Sequence, residues 1–126
     1  MSTRSGLRRA LVVEDEIMVA MYVEDLLTEL GYEVAGIATN LDQALPLVQK
    51  GDFDFAVLDI NLAGQVSFPA AEVLKQRGIP FLFASGYGSR GVGEDFRTAV
   101  RIQKPFRGGD LAQAIAKIGA AGAPPG

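Results

Sequence analysis

The sequence predicts one α/β domain, a parallel five-stranded sheet with helices on both faces. Three observations predict it. Across 126 residues, short apolar runs alternate with longer amphipathic stretches, the order that a parallel sheet with right-handed crossovers requires. The middle run, Phe55-Ala56-Val57-Leu58, is apolar without alternation, which suits a strand covered on both faces. Four of the runs stop at charged or hydroxylated residues, and in open α/β sheets ligands gather at the carboxyl ends of the strands.

The bulk properties narrow the classes further. A hydrophobic fraction of 48% with 21% charged residues reads as a soluble globular domain long enough for a real core. The formal charge of −3 argues against a general nucleic-acid binder. There is no cysteine, hence no disulfide, thiolate nucleophile or cysteine metal site, which fits a cytoplasmic protein. There is no histidine either, so any phosphohistidine in its chemistry belongs to a partner. No apolar run approaches the roughly 18 residues of a membrane span, and Met1 to Gly6 lacks a secretory signal's apolar stretch.

In chain order, residues 1–8 are expected to be flexible, 9–119 to form the domain and 120–126, rich in Ala, Gly and Pro, to be disordered. Ala10 to Val13 forms the first strand and runs into Glu14-Asp15-Glu16. A helix follows from about Glu16 to Leu30, with Ala20, Val23, Leu27 and Leu30 on one stripe and Gly31 at its end. Tyr32 to Ala38 reads as the second strand. Asn40 can cap a helix to Lys50 despite Pro46, which removes one hydrogen bond. After the third strand, Ser67 reads as an N-cap, with Pro69 in the first turn and Gly78 closing the helix. Ile79 to Ala84 is the fourth strand, ending at Ser85.

The glycines from Gly86 to Gly93 argue for a loop, since each costs about 1 kcal/mol in a helix, with a helical turn near Glu94 to Thr98. Val100 to Gln103 is the fifth strand and stops at Lys104-Pro105. Asp110 and Gln113 have capping-box spacing and open a last helix through about Ile118, with Leu111, Ala114, Ile115 and Ile118 inward.

One sheet edge thus collects Glu14, Asp15, Asp59, Ser85 and Lys104. Taken singly, each has an ordinary explanation: acids at a helix start, a turn residue, an exposed lysine. Taken together they are specific. Three carboxylates repel one another unless a cation joins them, and Mg²⁺ takes oxygen ligands while keeping several waters. A carboxylate nucleophile, a divalent ion, a lysine and a hydroxyl describe a phosphoryl acceptor site.

These residues carry a resemblance. Leu11-Val12-Val13-Glu14-Asp15-Glu16, Val57-Leu58-Asp59-Ile60-Asn61, Phe83-Ala84-Ser85-Gly86 and Lys104-Pro105-Phe106, in that order, resemble the receiver domain of two-component response regulators. The resemblance implies a flavodoxin-like (CheY-like) sheet of order 2-1-3-4-5. It implies that Asp59 takes a phosphoryl group from a sensor histidine kinase or a histidine phosphotransfer protein. By the same resemblance Asp15, Asp59 and the backbone carbonyl of Asn61 hold Mg²⁺, with Glu14 acting directly or through water. Lys104 would pair with the phosphoryl group, Ser85 would bond it, and the bond before Pro105 would be cis. Pro80 to Gly88 is similar to the FATGUY receivers, mostly stand-alone proteins whose partners include HWE-type kinases; Ser85 replaces their usual threonine and keeps the hydroxyl.

Three departures from the family pattern bear on the switch. Arg101 stands where an aromatic residue usually reports phosphorylation, so Tyr87 or Phe106 would take a related part. Leu62-Ala63-Gly64-Gln65 lacks the common Met-Pro, and the fourth helix is shortened and glycine-rich. The expected role is therefore a phosphorylation-controlled switch or phosphoryl shuttle, self-catalysed and not an enzyme in the usual sense, which signals through a downstream protein. Two other readings stay open. A degenerate receiver would be a constitutive binding module and would not bind Mg²⁺. An aspartate-nucleophile phosphatase would turn over small phosphate esters, but it commonly needs a second acid where Asn61 stands.

Overall fold

A computed structural model of the chain describes residues 7–86 and 99–119. The expected frayed N-terminus (Met1 to Gly6), Tyr87, most of the glycine-rich loop, the turn at Glu94 to Thr98 and the tail lie outside the described residues. In chain order the elements are β1 (Arg9–Val13), α1 (Ile17–Glu29), β2 (Glu33–Ala38), α2 (Leu41–Lys50), β3 (Phe55–Asp59), β4 (Asn61–Leu62), β5 (Gln65–Val66), α3 (Phe68–Arg77), β6 (Phe81–Ser85), β7 (Arg101–Gln103) and α4 (Gly108–Lys117). The main sheet has the order β2-β1-β3-β6-β7 and all four of its pairings are parallel. It is the expected order 2-1-3-4-5, renumbered because a small antiparallel hairpin, β4-β5, follows the central strand.

The period-two geometry of a strand sorts the core into two halves. From β1, Leu11 and Val13 pack with Ala44, Val48 and Leu74 of α2 and α3. Ala10 and Val12 pack on the other face with Ala20, Val23, Leu111 and Ile115 of α1 and α4. β3 divides the same way, Ala56 and Leu58 to one side, Phe55 and Val57 to the other. Covered on both sides, β3 is buried along its whole length, Asp59 included.

The structure corrects several boundaries. α1 and α3 both end in a Schellman closure, with Gly31 at φ 94° and Gly78 at φ 71°. The amides of Tyr32 and Ile79 are spent on Leu27 and Leu74 carbonyls, each at 2.9 Å, so β2 starts at Glu33 and β6 at Phe81. Leu30 does not join the buried stripe of α1 and is exposed. Asn40 caps α2 as expected, its Oδ1 accepting from the Gln43 N–H at 2.8 Å, and the helix runs through Pro46. Ser67 occupies the N-cap of α3 but at φ −85°, ψ 5° its hydroxyl makes no capping bond and is buried without a partner among the described residues. α4 begins two residues before Asp110. Asp110 is its third residue and accepts the Arg107 N–H at 3.0 Å, so Asp110 and Gln113 are not a box of their own. The peptide bond between Lys104 and Pro105 is cis.

Candidate functional site

The parallel pairings bring the carboxyl ends of β1, β3, β6 and β7 to one edge. β1 runs out into Glu14 and Asp15, β3 ends on Asp59, β6 ends on Ser85, and β7 runs out into Lys104. Lys104 Nζ lies 2.5 Å from Glu14 Oε1 and 3.1 Å from Asp59 Oδ2. The other oxygen of Glu14 accepts the Glu16 N–H at 3.1 Å, and Asp59 Oδ1 accepts the Asn61 N–H at 3.4 Å. Asp15 Oδ2 accepts the Ala63 N–H at 3.0 Å.

Burial dominates the electrostatics. Glu14 is 3% exposed and Asp59 8%. Burial pushes the Glu14 carboxyl up to about 7, against the pull of the Lys104 hydrogen bond. It also raises Asp59 above the ordinary carboxylate value, with the Lys104 charge opposing. Partial burial pushes Asp15 up as well, but hydrogen bonds with the Glu14 carboxyl and the Ala63 N–H outweigh it and hold Asp15 below its usual value. For Lys104, burial disfavours the ammonium; the Glu14 hydrogen bond and the Asp59 and Glu14 charges override it and raise the lysine.

Ligand oxygens of Glu14, Asp15 and Asp59 all lie within 4.8 Å of one another. That all-oxygen, anionic donor set fits a small hard divalent cation, whose ligands stand about 2.0–2.1 Å from the metal. Asp15, Asp59, Lys104 and Asn61 line an open cleft of 330 Å³ together with Glu16, Ala63, Gly64 and Gly86.

Part of this site had no clear signal in the sequence. Asn61 to Val66 folds as a hairpin whose two central residues, Ala63 (φ 53°) and Gly64 (φ 90°), both have positive φ, the signature of a type I′ turn. The Asn61 side chain accepts the Gly64 N–H at 3.0 Å, which leaves the turn amide of Ala63 aimed at Asp15. Ala63-Gly64 was the one available cue. Of the expected switch residues, Arg101 is exposed on β7 and Phe106 is buried, 4% exposed, in the core beside α1 and α4. Ser85 sits at the end of β6 in register with Gln103.

Comparison with known proteins gives the family. The family model for the response regulator receiver domain matches residues 10–116. The chain belongs to that family. Such receivers are modules of two-component signalling rather than classical enzymes. This receiver is 30% identical over 112 residues to the transcriptional regulatory protein PdtaR of Mycobacterium tuberculosis, an alignment that covers 86% of the chain and 55% of PdtaR. The receiver thus spans about half the length of that relative. Among solved structures it is similar to SdrG of Sphingomonas melonis Fr1, with TM-score 0.81 and 40% identity over 91% of this chain and 98% of SdrG. A BeF3-activated conformation of SdrG from Pseudomonas melonis Fr1 is similar too, with TM-score 0.77 and 39% identity over 94% of this chain and 100% of that one. No described helix is long and apolar enough to cross a membrane.

Proposed function

We propose that this receiver accepts a phosphoryl group on Asp59 from the phosphohistidine of a sensor kinase or histidine phosphotransfer protein in the cytoplasm. It then signals by binding a further protein or by draining the kinase. The observation that carries this reading is the placement of Asp59. Its carboxylate closes the central strand at the floor of the cleft, and the Lys104 ammonium lies 3.1 Å from one of its oxygens.

An Asp59 oxygen attacks phosphorus as the P–N bond to the donor imidazole breaks, and the imidazole leaves with its ring nitrogen free to take a proton. Bound Mg²⁺ would supply charge neutralisation for the transferring group, held by Asp15, Asp59 and the Asn61 carbonyl with Glu14 direct or through water. Lys104 screens the Asp59 charge before transfer and is within reach of a phosphoryl oxygen after it. Ser85, at the end of the neighbouring strand, supplies the hydroxyl. Ser85, Tyr87, Arg101 and Phe106 form the output region. The stretch Pro80 to Gly88 supports placing the chain with FATGUY-type receivers and their HWE-type kinases.

The test is intact mass after incubation with Mg²⁺ and a small acyl phosphate, then with candidate kinases. Gain of one phosphoryl group in wild type, absent in Asp59→Asn and with chelator, is the expected result. No gain from any donor, together with no Mg²⁺ binding by calorimetry, would sink the proposal and leave a constitutive binding module.

A further inference from the structure

Tyr22, on the second turn of α1, lies outside the cleft and has no part in the chemistry above. Its hydroxyl donates to the Phe106 carbonyl at 2.8 Å, across 84 residues of sequence. Its ring meets the buried Phe106 ring with centroids 6.1 Å apart and planes inclined by 48°. The amide of that same peptide, the Arg107 N–H, donates to Asp110 Oδ2 at 3.0 Å. One peptide unit is therefore held at its carbonyl by α1 and at its amide by α4.

Lys104 stands two residues before this clamped peptide, across the cis bond to Pro105. On its other side Gln103 is paired with Ser85 in the sheet. A lysine side chain has four rotatable methylenes, so a fixed backbone origin is what limits where its ammonium can go. Here that origin is fixed by a strand pairing before it and by the clamp after it, and the ammonium reaches Glu14 and Asp59.

We propose that Tyr22 is a positioning residue for Lys104: its hydrogen bond to the Phe106 carbonyl fixes the segment from which the ammonium reaches Asp59. The kinetic half of the proposal rests on Asp59 being the phosphoacceptor; the geometric half does not. Tyr22→Phe is the informative variant because it keeps the ring against Phe106 and removes only the hydroxyl.

Three measurements decide it. In metal-free protein, NMR of the Lys104 side chain (¹³Cε and ¹⁵Nζ) should show its resonances move in Tyr22→Phe, along with the Arg107 amide. With Mg²⁺ and a small acyl phosphate, phosphoryl uptake should slow by roughly 3- to 10-fold, the size expected for loss of one neutral hydrogen bond. Mg²⁺ affinity by calorimetry should stay within about twofold, because no acidic ligand is attached to the clamp. Unmoved Lys104 resonances, or a wild-type uptake rate, would overturn the proposal and leave Tyr22 as a surface staple. A fall in Mg²⁺ affinity in step with the rate would also overturn it, by showing a general loosening of the site. If wild type itself takes no phosphoryl group, the phosphoacceptor reading fails and with it the kinetic half, while the Lys104 resonances still decide whether Tyr22 places the ammonium.

Discussion

Replacing Glu14 by glutamine keeps the shape of the side chain and an oxygen for Lys104 but removes a titrating acid from a buried place. The carboxyl of Glu14 is pushed by burial from its ordinary value of 4.5 to about 7. The folded protein therefore binds this proton more tightly than the unfolded chain does. Between those two pH values folding is linked to proton uptake, so stability falls as pH rises and the full cost is present above 7. A rise of that size corresponds to roughly 3 kcal/mol, and Asp59, also raised by burial, acts in the same direction.

Glu14→Gln does not carry the cost. Urea unfolding in chelator should give the variant and wild type similar stability near pH 4, below the unfolded value. At pH 8 the variant should be more stable by about 3 kcal/mol, a midpoint difference on the order of 1 to 2 M. An equal difference at the two pH values would refute the reasoning, because it would mean that Glu14 titrates at the same pH folded and unfolded.

Three further outcomes are expected. Mg²⁺ at about 100 times its dissociation constant should stabilise the protein by roughly 2.7 kcal/mol at pH 8. The gain should shrink near pH 5, where Glu14, if it is a ligand, would have to shed a proton to bind; thermal melts with and without chelator measure both. Ser67→Ala should be neutral or stabilising by up to about 1 kcal/mol in urea unfolding. The buried hydroxyl has no partner among the described residues, so removing it sheds a desolvation cost and no cap. Gly51→Ala should destabilise by about 1–3 kcal/mol in the same assay. An added methyl there would collide with the Leu47 carbonyl and the Phe53 ring.

The strands and the charge cluster were legible because both are written locally. A buried parallel strand is a short apolar run, and the residue that follows such a run is presented at the sheet edge whatever its partners are. The run Phe55 to Leu58 therefore announced Asp59 without any knowledge of Lys104. The failures have physical causes as well. The amides of Tyr32 and Ile79 are taken by helix closure, a competition that residue type does not display. Ser67 has the right chemistry for a cap but the wrong backbone angles. The β4-β5 hairpin is two residues per strand, too short to show a period. Tyr22 lay beyond reach because its partner is a carbonyl, which every residue has, on a segment brought near only by the finished fold.

Lys104 is carried by the most tenuous part of the sheet. β7 is an edge strand of three residues whose side chains run exposed, half-buried, exposed, whereas Glu14 and Asp59 follow from the buried strands β1 and β3. Local opening should therefore cost less at β7 than at the sheet centre, and amide exchange should be faster at Ile102 and Gln103 than at Val12 or Val57. The neutralising ammonium of the site thus rests on the short edge strand and on the Phe106 contacts that follow it, while the anions rest on buried strands.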